Sequence, residues 1–278
     1  QRLFPYAGEF EARTRKSGLH KWYKIIYNES VPTTKAQEGF EKIPGVEIFE
    51  PERMIKLDAS FNDPKSSYQW HYLNNGNYGS EFVAGADINV TSVWENYTVG
   101  SRKVTVAVID AGVDYEHEDI AANYVGGINF GTGGKVTPDD HGTHVAGTIA
   151  AVNNNGIGVS GIAGGNAAAG IKGVGILGCQ IFSGNNPVGG AEAIKWAADN
   201  GANIANNSWG HVYGNEEAAK KANIAADLKA AIDYFIRYAG CDNDGNQLPD
   251  SPMKGGVILS SSGNYGWRYN PLGEYDPV

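Results

Sequence analysis

From about residue 103 onward, the apolar positions of this chain fall into two alternating patterns. The stretches "KVTVAVID", "VGILGCQIF", "ANIANNS" and "GGVILSSS" are short, compact apolar or small-residue runs of strand length. Between them, "HGTHVAGTIAAV", "GGAEAIKWAADNG" and "EEAAKKANIAADLKAAIDYFIRYA" space their apolar residues at the helical period. Strand–helix alternation of this kind predicts an α/β fold, a parallel sheet with helices on both faces. In such sheets reactive side chains gather just beyond the carboxyl ends of the strands. Asp110, Ser208 and Asn264 fall there.

The first 57 residues have a different pattern. "FEART", the turn "KSGLH" and "WYKIIY" suggest a β-hairpin. Thr33 or Thr34 can cap a short helix running to about Ile43, which Pro44–Gly45 ends. "VEIFEPERMIKL" then alternates as an edge strand, the one place where Pro51 is tolerated. Such a hairpin–helix–strand unit is too small to be stable alone and should dock on something larger. "LDASFNDPKSS" has linker composition, so the expected division is residues 1–57 and 58–278.

Composition narrows the picture. With 278 residues the chain can bury a core without disulfide staples. A formal net charge of −9 and a pI near 5.2 argue against nucleic acid or an anionic membrane surface as a partner. There is no run of eighteen apolar residues, so no membrane span is expected. The first residue is Gln1, with neither Met nor a signal-like apolar segment, which reads as a processed or trimmed start. Of the two cysteines, Cys179 sits in an apolar run and reads as a buried, inert thiol, with a bridge to Cys241 left open. The sequons "NES", "NVT", "NYT" and "NNS" carry little weight, since three-residue patterns arise by chance.

The chemistry concentrates around "DDHGTHVAG". Asp110 ends an apolar strand, where an aspartate alone most often forms an Asx turn. His141 opens a helix next to Gly142, where backbone can approach closely. Together, "VIDAGVDYEHEDI" and "DDHGTHVAGTIA" resemble the aspartate and histidine blocks of the subtilisin-like serine proteases, the subtilases, whose triad runs in the chain order Asp, His, Ser. The resemblance implies Asp110 as the orienting carboxylate, His141 as general base and His144 as a structural neighbour. One departure is plain: the family usually has Ser or Thr after the aspartate, and here it is Ala111.

Two more blocks match. "NNSWG" resembles the family's substrate-pairing strand and implies Ser208, Trp209 and Gly210 as a peptide-binding edge. "SSSGNYG" resembles the block carrying the oxyanion asparagine and implies Asn264, whose amide on a glycine-flanked loop can point at a developing oxyanion. The family's Gly-Thr-Ser-Met-Ala-like block, which holds the nucleophile, is missing from this sequence, and none of Ser208, Ser260, Ser261 or Ser262 has such a context. The chain as given is therefore expected to be inactive, and the native chain to extend past Val278 into such a block.

The resemblance also implies that residues 1–57 are a propeptide-like α+β unit that docks on the catalytic domain and covers its cleft. It further implies a secreted or cell-envelope protein acting on protein or peptide substrates. "AVNNNGIGVSG" resembles the family's calcium loop, which implies a structural Ca²⁺ held by Asp63, Asp119, Val152, Asn155, Ile157 and Val159. Oxygen-only ligation suits that hard cation. "DNDGNQLPD" also alternates acids but lacks the glycine of an EF-hand loop and reads as a solvated insertion.

Two rivals come from other classes. "GVGILG" satisfies G-x-G-x-x-G, the dinucleotide fingerprint, which must follow a strand and open a helix. A pseudo-protease or peptide-binding module would explain the missing serine block, but it needs neither a base nor an oxyanion donor.

Overall fold

The computed structural model describes residues 1–26, 33–50, 61–184, 186–210, 222–263, 267–269 and 275–277. The chain forms two compact units, Gln1–Lys56 and Leu57–Val278.

The first unit contains helices α1 (Glu11–Lys16) and α2 (Thr33–Phe40). The expected hairpin is not there. Part of "FEART" is helical, and among the described residues of this unit the one β contact is an isolated bridge between Arg2 and Tyr23. The reason is a charge that sequence alternation treats as outward-facing. Glu11 is buried, ion-paired with Arg2 and Arg15 at 3.0 Å each, and it accepts a hydrogen bond from the Ala7 amide. These bonds hold its carboxyl below the usual range, the Ala7 contribution being the largest. Val46–Glu50 are not in a strand, although Phe49 stacks on Phe40 at 4.8 Å. The rest of the expected edge strand, with Pro51, lies outside the described residues.

In the second unit, helix α3 (Val90–Asn96) precedes a five-stranded parallel sheet. In chain order its strands are β1 (Thr105–Asp110), β2 (Tyr124–Asn129), β3 (Gly175–Gln180), β4 (Ile204–Asn207) and β5 (Val257–Ser260). The spatial order is β2-β3-β1-β4-β5. Helix α4 (Asp140–Ala150) joins β2 to β3, α5 (Gly190–Asp199) joins β3 to β4, and α6 (Ala226–Tyr238) lies between β4 and β5.

Side-chain alternation assigns the two faces. Val106, Val108 and Ile176 join Ala146 and Ala150 of α4 in one buried cluster. Ala107, Ile109, Leu177 and Cys179 join Ala193, Ile194 and Ala197 of α5 and Phe235 of α6 in the other. Alanines at 107, 193, 197 and 205, all fully buried, let α5 lie close to the sheet. Burial pushes the Cys179 thiol up to about 12, and both cysteines are free.

One element was not foreseen, one expectation changes and one rival is set aside. β2 has no apolar run to announce it. Its Gly126–Gly127 sits where a side chain at 127 would strike the Gly178 carbonyl and the Tyr124 hydroxyl, and a bulge shifts its register against β3. The long helix starts at Ala226 rather than Glu216; residues 211–221 of that stretch lie outside the described residues. Gly175–Gln180 is a strand, so "GVGILG" leads into a strand rather than opening a helix, and the dinucleotide reading fails.

The chain passes from β1 to β2 and β3 on one side and then crosses to β4 on the other. The carboxyl end of β1 is thus the switch point where an open α/β sheet forms its crevice.

Candidate active site

Asp110 is the last residue of β1 and is 2% exposed. Its Oδ1 accepts the Ala111 amide at 2.7 Å and lies 2.7 Å from Nδ1 of His141. Its Oδ2 is buried with no partner among the described residues.

His141 reaches Asp110 because α4 starts directly over the end of β1. Asp139 caps the helix, its carboxylate accepting the His141 amide at 2.9 Å. Gly142 is buried in the first turn, and a Cβ there would collide with the Gly112 carbonyl. Gly112 has φ +143, and a Cβ on it would collide with the Thr137 carbonyl. Two glycines thus allow strand end and helix start to touch. The His141 side chain is 59% exposed, so one edge of the ring is held by a buried carboxylate while the rest of it faces solvent. With Asp110 ionised, Nδ1 carries the ring proton and donates it, leaving Nε2 free to accept one. Motif matching missed the contributions of Asp139 and Gly112; the cap pattern before the helix is the signal that finds Asp139.

At the end of β4, next to β1, Ser208 Oγ accepts from the Asn206 side chain at 2.9 Å. Trp209 is half-buried, its ring against Gly190, and its indole N–H has no partner among the described residues. Gly210 is exposed, with open space where a Cβ would be. Asn264 lies outside the described residues, four positions past the end of β5 at Ser260.

At the other end of α4, the loop after Ala151 folds over two buried carboxylates, Asp63 (3% exposed) and Asp119 (1%). Asp63 accepts from the amides of Asn154 and Asn155 and from the Ser160 hydroxyl at 2.7–3.1 Å. Asp119 accepts from the Asn155 side chain and the Val159 amide, both at 2.9 Å, and its own carbonyl accepts the Val152 amide at 2.8 Å. Asn155 Oδ1 accepts the Ile157 amide at 2.8 Å. A Cβ on Gly158 would collide with Asp119 Oδ2, so the loop closes tightly around the carboxylate. Burial above all raises the Asp119 carboxyl, and the charge of Asp63 adds to it, against the bonds from Val159 and Asn155. Neither carboxylate has an ion-pair partner among the described residues. Two buried carboxylates beside an amide oxygen are oxygen donors of the kind that a hard divalent cation takes.

The acidic insertion behaves as a solvated loop. Asp242 takes the amides of Asp244 and Asn246, and these bonds lower its carboxyl, with the Asn246 amide contributing most.

Residues 101–276 match the family model described as the subtilase family. Human proprotein convertase subtilisin/kexin type 7 is 42% identical over 131 residues, covering 43% of this chain and 16% of that protein. Neuroendocrine convertase 2 of Sus scrofa is 32% identical over 181 residues, 61% of this chain and 27% of that protein. The chain therefore spans under a third of the length of these curated relatives. Among solved structures, the serine protease of Aeromonas sobria aligns with a TM-score of 0.58 at 24% identity, over 81% of this chain and 35% of that one, a likeness of fold.

Proposed function

Because the chain belongs to the subtilase family, we propose that it carries the aspartate–histidine half of a serine endopeptidase and hydrolyses peptide bonds when joined to its nucleophile. The observation that carries this reading is the 2.7 Å contact between a buried Asp110 and an exposed His141. Asp110 fixes the ring and its tautomer. His141 Nε2 takes the proton of a serine hydroxyl as the oxygen attacks the substrate carbonyl, and gives it to the departing amine. The Asn264 amide donates to the oxyanion, and Ser208, Trp209 and Gly210 pair with the extended substrate. Without a serine in a nucleophile setting, the 278-residue chain is inactive.

A structural Ca²⁺ would be held by Asp63, Asp119, Asn155 and the carbonyls of Val152, Ile157 and Val159. There it supplies charge compensation for two buried carboxylates and no step of catalysis. Among the described residues no three His, Cys, Asp or Glu gather, so this reading depends on neutral oxygens for the rest of the set.

Residues 1–57 act as a propeptide that docks on the catalytic domain and covers its cleft. Their apolar side chains support this reading: Ile26 is 84% exposed and Tyr6 72%, surface that a partner would bury. The protein is secreted or held at the cell envelope. No described helix is long and apolar enough to cross a membrane.

The test compares the full-length protein, the 278-residue chain and full-length His141→Ala on a denatured protein substrate. Turnover by the full-length protein alone supports the protease reading. Turnover by His141→Ala equal to wild type would remove His141 from the chemistry, and a full-length protein that binds extended peptides without cleaving them would favour a pseudo-protease.

A further inference from the structure

The side chain of Gln180 occupies a position that the mechanism above does not use. It is the last residue of β3 and sits opposite Asp110 in the parallel register. Register partners in a parallel pair share a face, and the alternation of Val106, Val108 and Ile176 makes that the α4 face. Gln180 is 6% exposed, among the few polar side chains buried in the sheet. A buried amide must find partners, and this one finds them in the segment that leads into α4. Its Oε1 accepts the Thr137 amide at 2.9 Å and the Thr137 hydroxyl at 3.1 Å, while its Nε2 donates to Thr137 Oγ1 at 2.9 Å and to the Phe182 carbonyl at 3.4 Å.

Thr137 is well placed to transmit such a hold. Val136 before it is buried in the α4 cluster, and Pro138 after it has a restricted φ. Asp139 then caps α4 through the His141 amide. The Thr137 carbonyl packs against Gly112, two residues past Asp110. The strand neighbouring Asp110 therefore holds the chain from which His141 is suspended, by side-chain bonds rather than by sheet pairing.

We infer that Gln180 is a positioning residue that, through Thr137, fixes His141 against Asp110. The inference rests on reading those two as base and orienting acid. An apolar side chain of similar size would fill the same space, so the amide's specific contribution is the alignment of the ring. A displacement on the order of 1 Å at a reacting group can cost about 10²-fold in rate.

The test uses the full-length protein with Gln180→Leu, Thr137→Val, their combination and Thr137→Ser. Two readouts are taken: kcat and KM on a peptide ester, and the low-field proton resonance of the His141–Asp110 hydrogen bond. We expect kcat to fall about 10- to 100-fold in Gln180→Leu and Thr137→Val with KM little changed. The double variant should lose no more than the worse single one, since both break one clamp. Thr137→Ser, which keeps the hydroxyl, should retain the wild-type rate. In both impaired variants the low-field resonance should broaden or vanish at an unchanged melting temperature. Unchanged kcat and resonance in Gln180→Leu would overturn the inference, as would equal losses in Thr137→Ser and Thr137→Val. If Gln180→Leu does not fold, Thr137→Val, at an exposed position, decides by the same criteria. A wild type with no turnover would defeat the protease reading, and the resonance would still decide whether the clamp aligns the ring.

Discussion

Asp110 and Asp119 are nine residues apart, almost equally buried, and meet opposite ends of the same helix region, yet their surroundings prepare them for different work. Asp110 gives one oxygen to a ring that is 59% exposed and leaves its other oxygen without a partner among the described residues. Asp119 has both oxygens occupied by N–H donors of a loop that closes on it. On the proposed reading one carboxylate orients a catalytic ring, and the other holds a loop backbone in place. Burial alone therefore says little about role; what the partner can do next decides it.

The sharpest way to break this contrast is Asp110→Asn in the full-length protein. An amide can no longer hold the His141 tautomer by charge, and kcat should fall roughly 10⁴-fold, as when the orienting carboxylate of a triad becomes an amide. The melting temperature should stay near wild type. Loss of stability without that loss of rate would reverse the assignment. Asn264→Ala should cost less, about 10²–10³-fold in kcat, the size measured for loss of this donor within the subtilisins. Steady-state kinetics with KM unchanged would check it.

How far these roles can be read from sequence depends on how local their signals are. Asp110 and His141 lie in short linear blocks, and β1, α4, β3 and α5 follow the apolar pattern. β2 could not be read because Gly127 answers to tertiary sterics, the Gly178 carbonyl of β3 and the Tyr124 hydroxyl of its own strand, and Gly126 sits at the bulge with a positive φ. The hairpin expected near Glu11 failed because the ion pair that lets Glu11 be buried against Arg2 is tertiary information. Gln180 looks like one polar residue in an apolar run, and its only signal is its place at a strand's carboxyl end.

Asp119→Ala should produce the opposite signature from Asp110→Asn. Calcium at a hundred times its dissociation constant adds about 2.7 kcal/mol, or about 5–10 °C in a domain of this size. Wild type should lose that increment in chelator, and Asp119→Ala should show neither the increment nor its loss, with kcat little changed at low temperature. A melting curve indifferent to calcium in both proteins would remove the ion from the loop.

The smallest effect sharpens the contrast from the middle of α4. Burial first, and the charge of His144 second, lower the pKa of His71 from its usual 6.5. The unfolded chain then binds a proton that the folded one resists, so stability should fall as pH drops below about 6.5 until the folded value is passed. His71→Gln should flatten that slope in thermal melts and leave the acid limb of the kcat/KM profile in place. An acid limb that moves with His71 would mean that His71 takes part in catalysis and not only in folding.

The central claim is that His141, held by Asp110, activates a serine hydroxyl. Its most direct test is the rate at which a serine-directed phosphonate labels the full-length protein, followed by intact mass. Wild type should gain one phosphonyl group per chain, on a serine outside the strands described here, and His141→Ala should gain none over the same period. Labelling of both proteins at the same rate would contradict the claim.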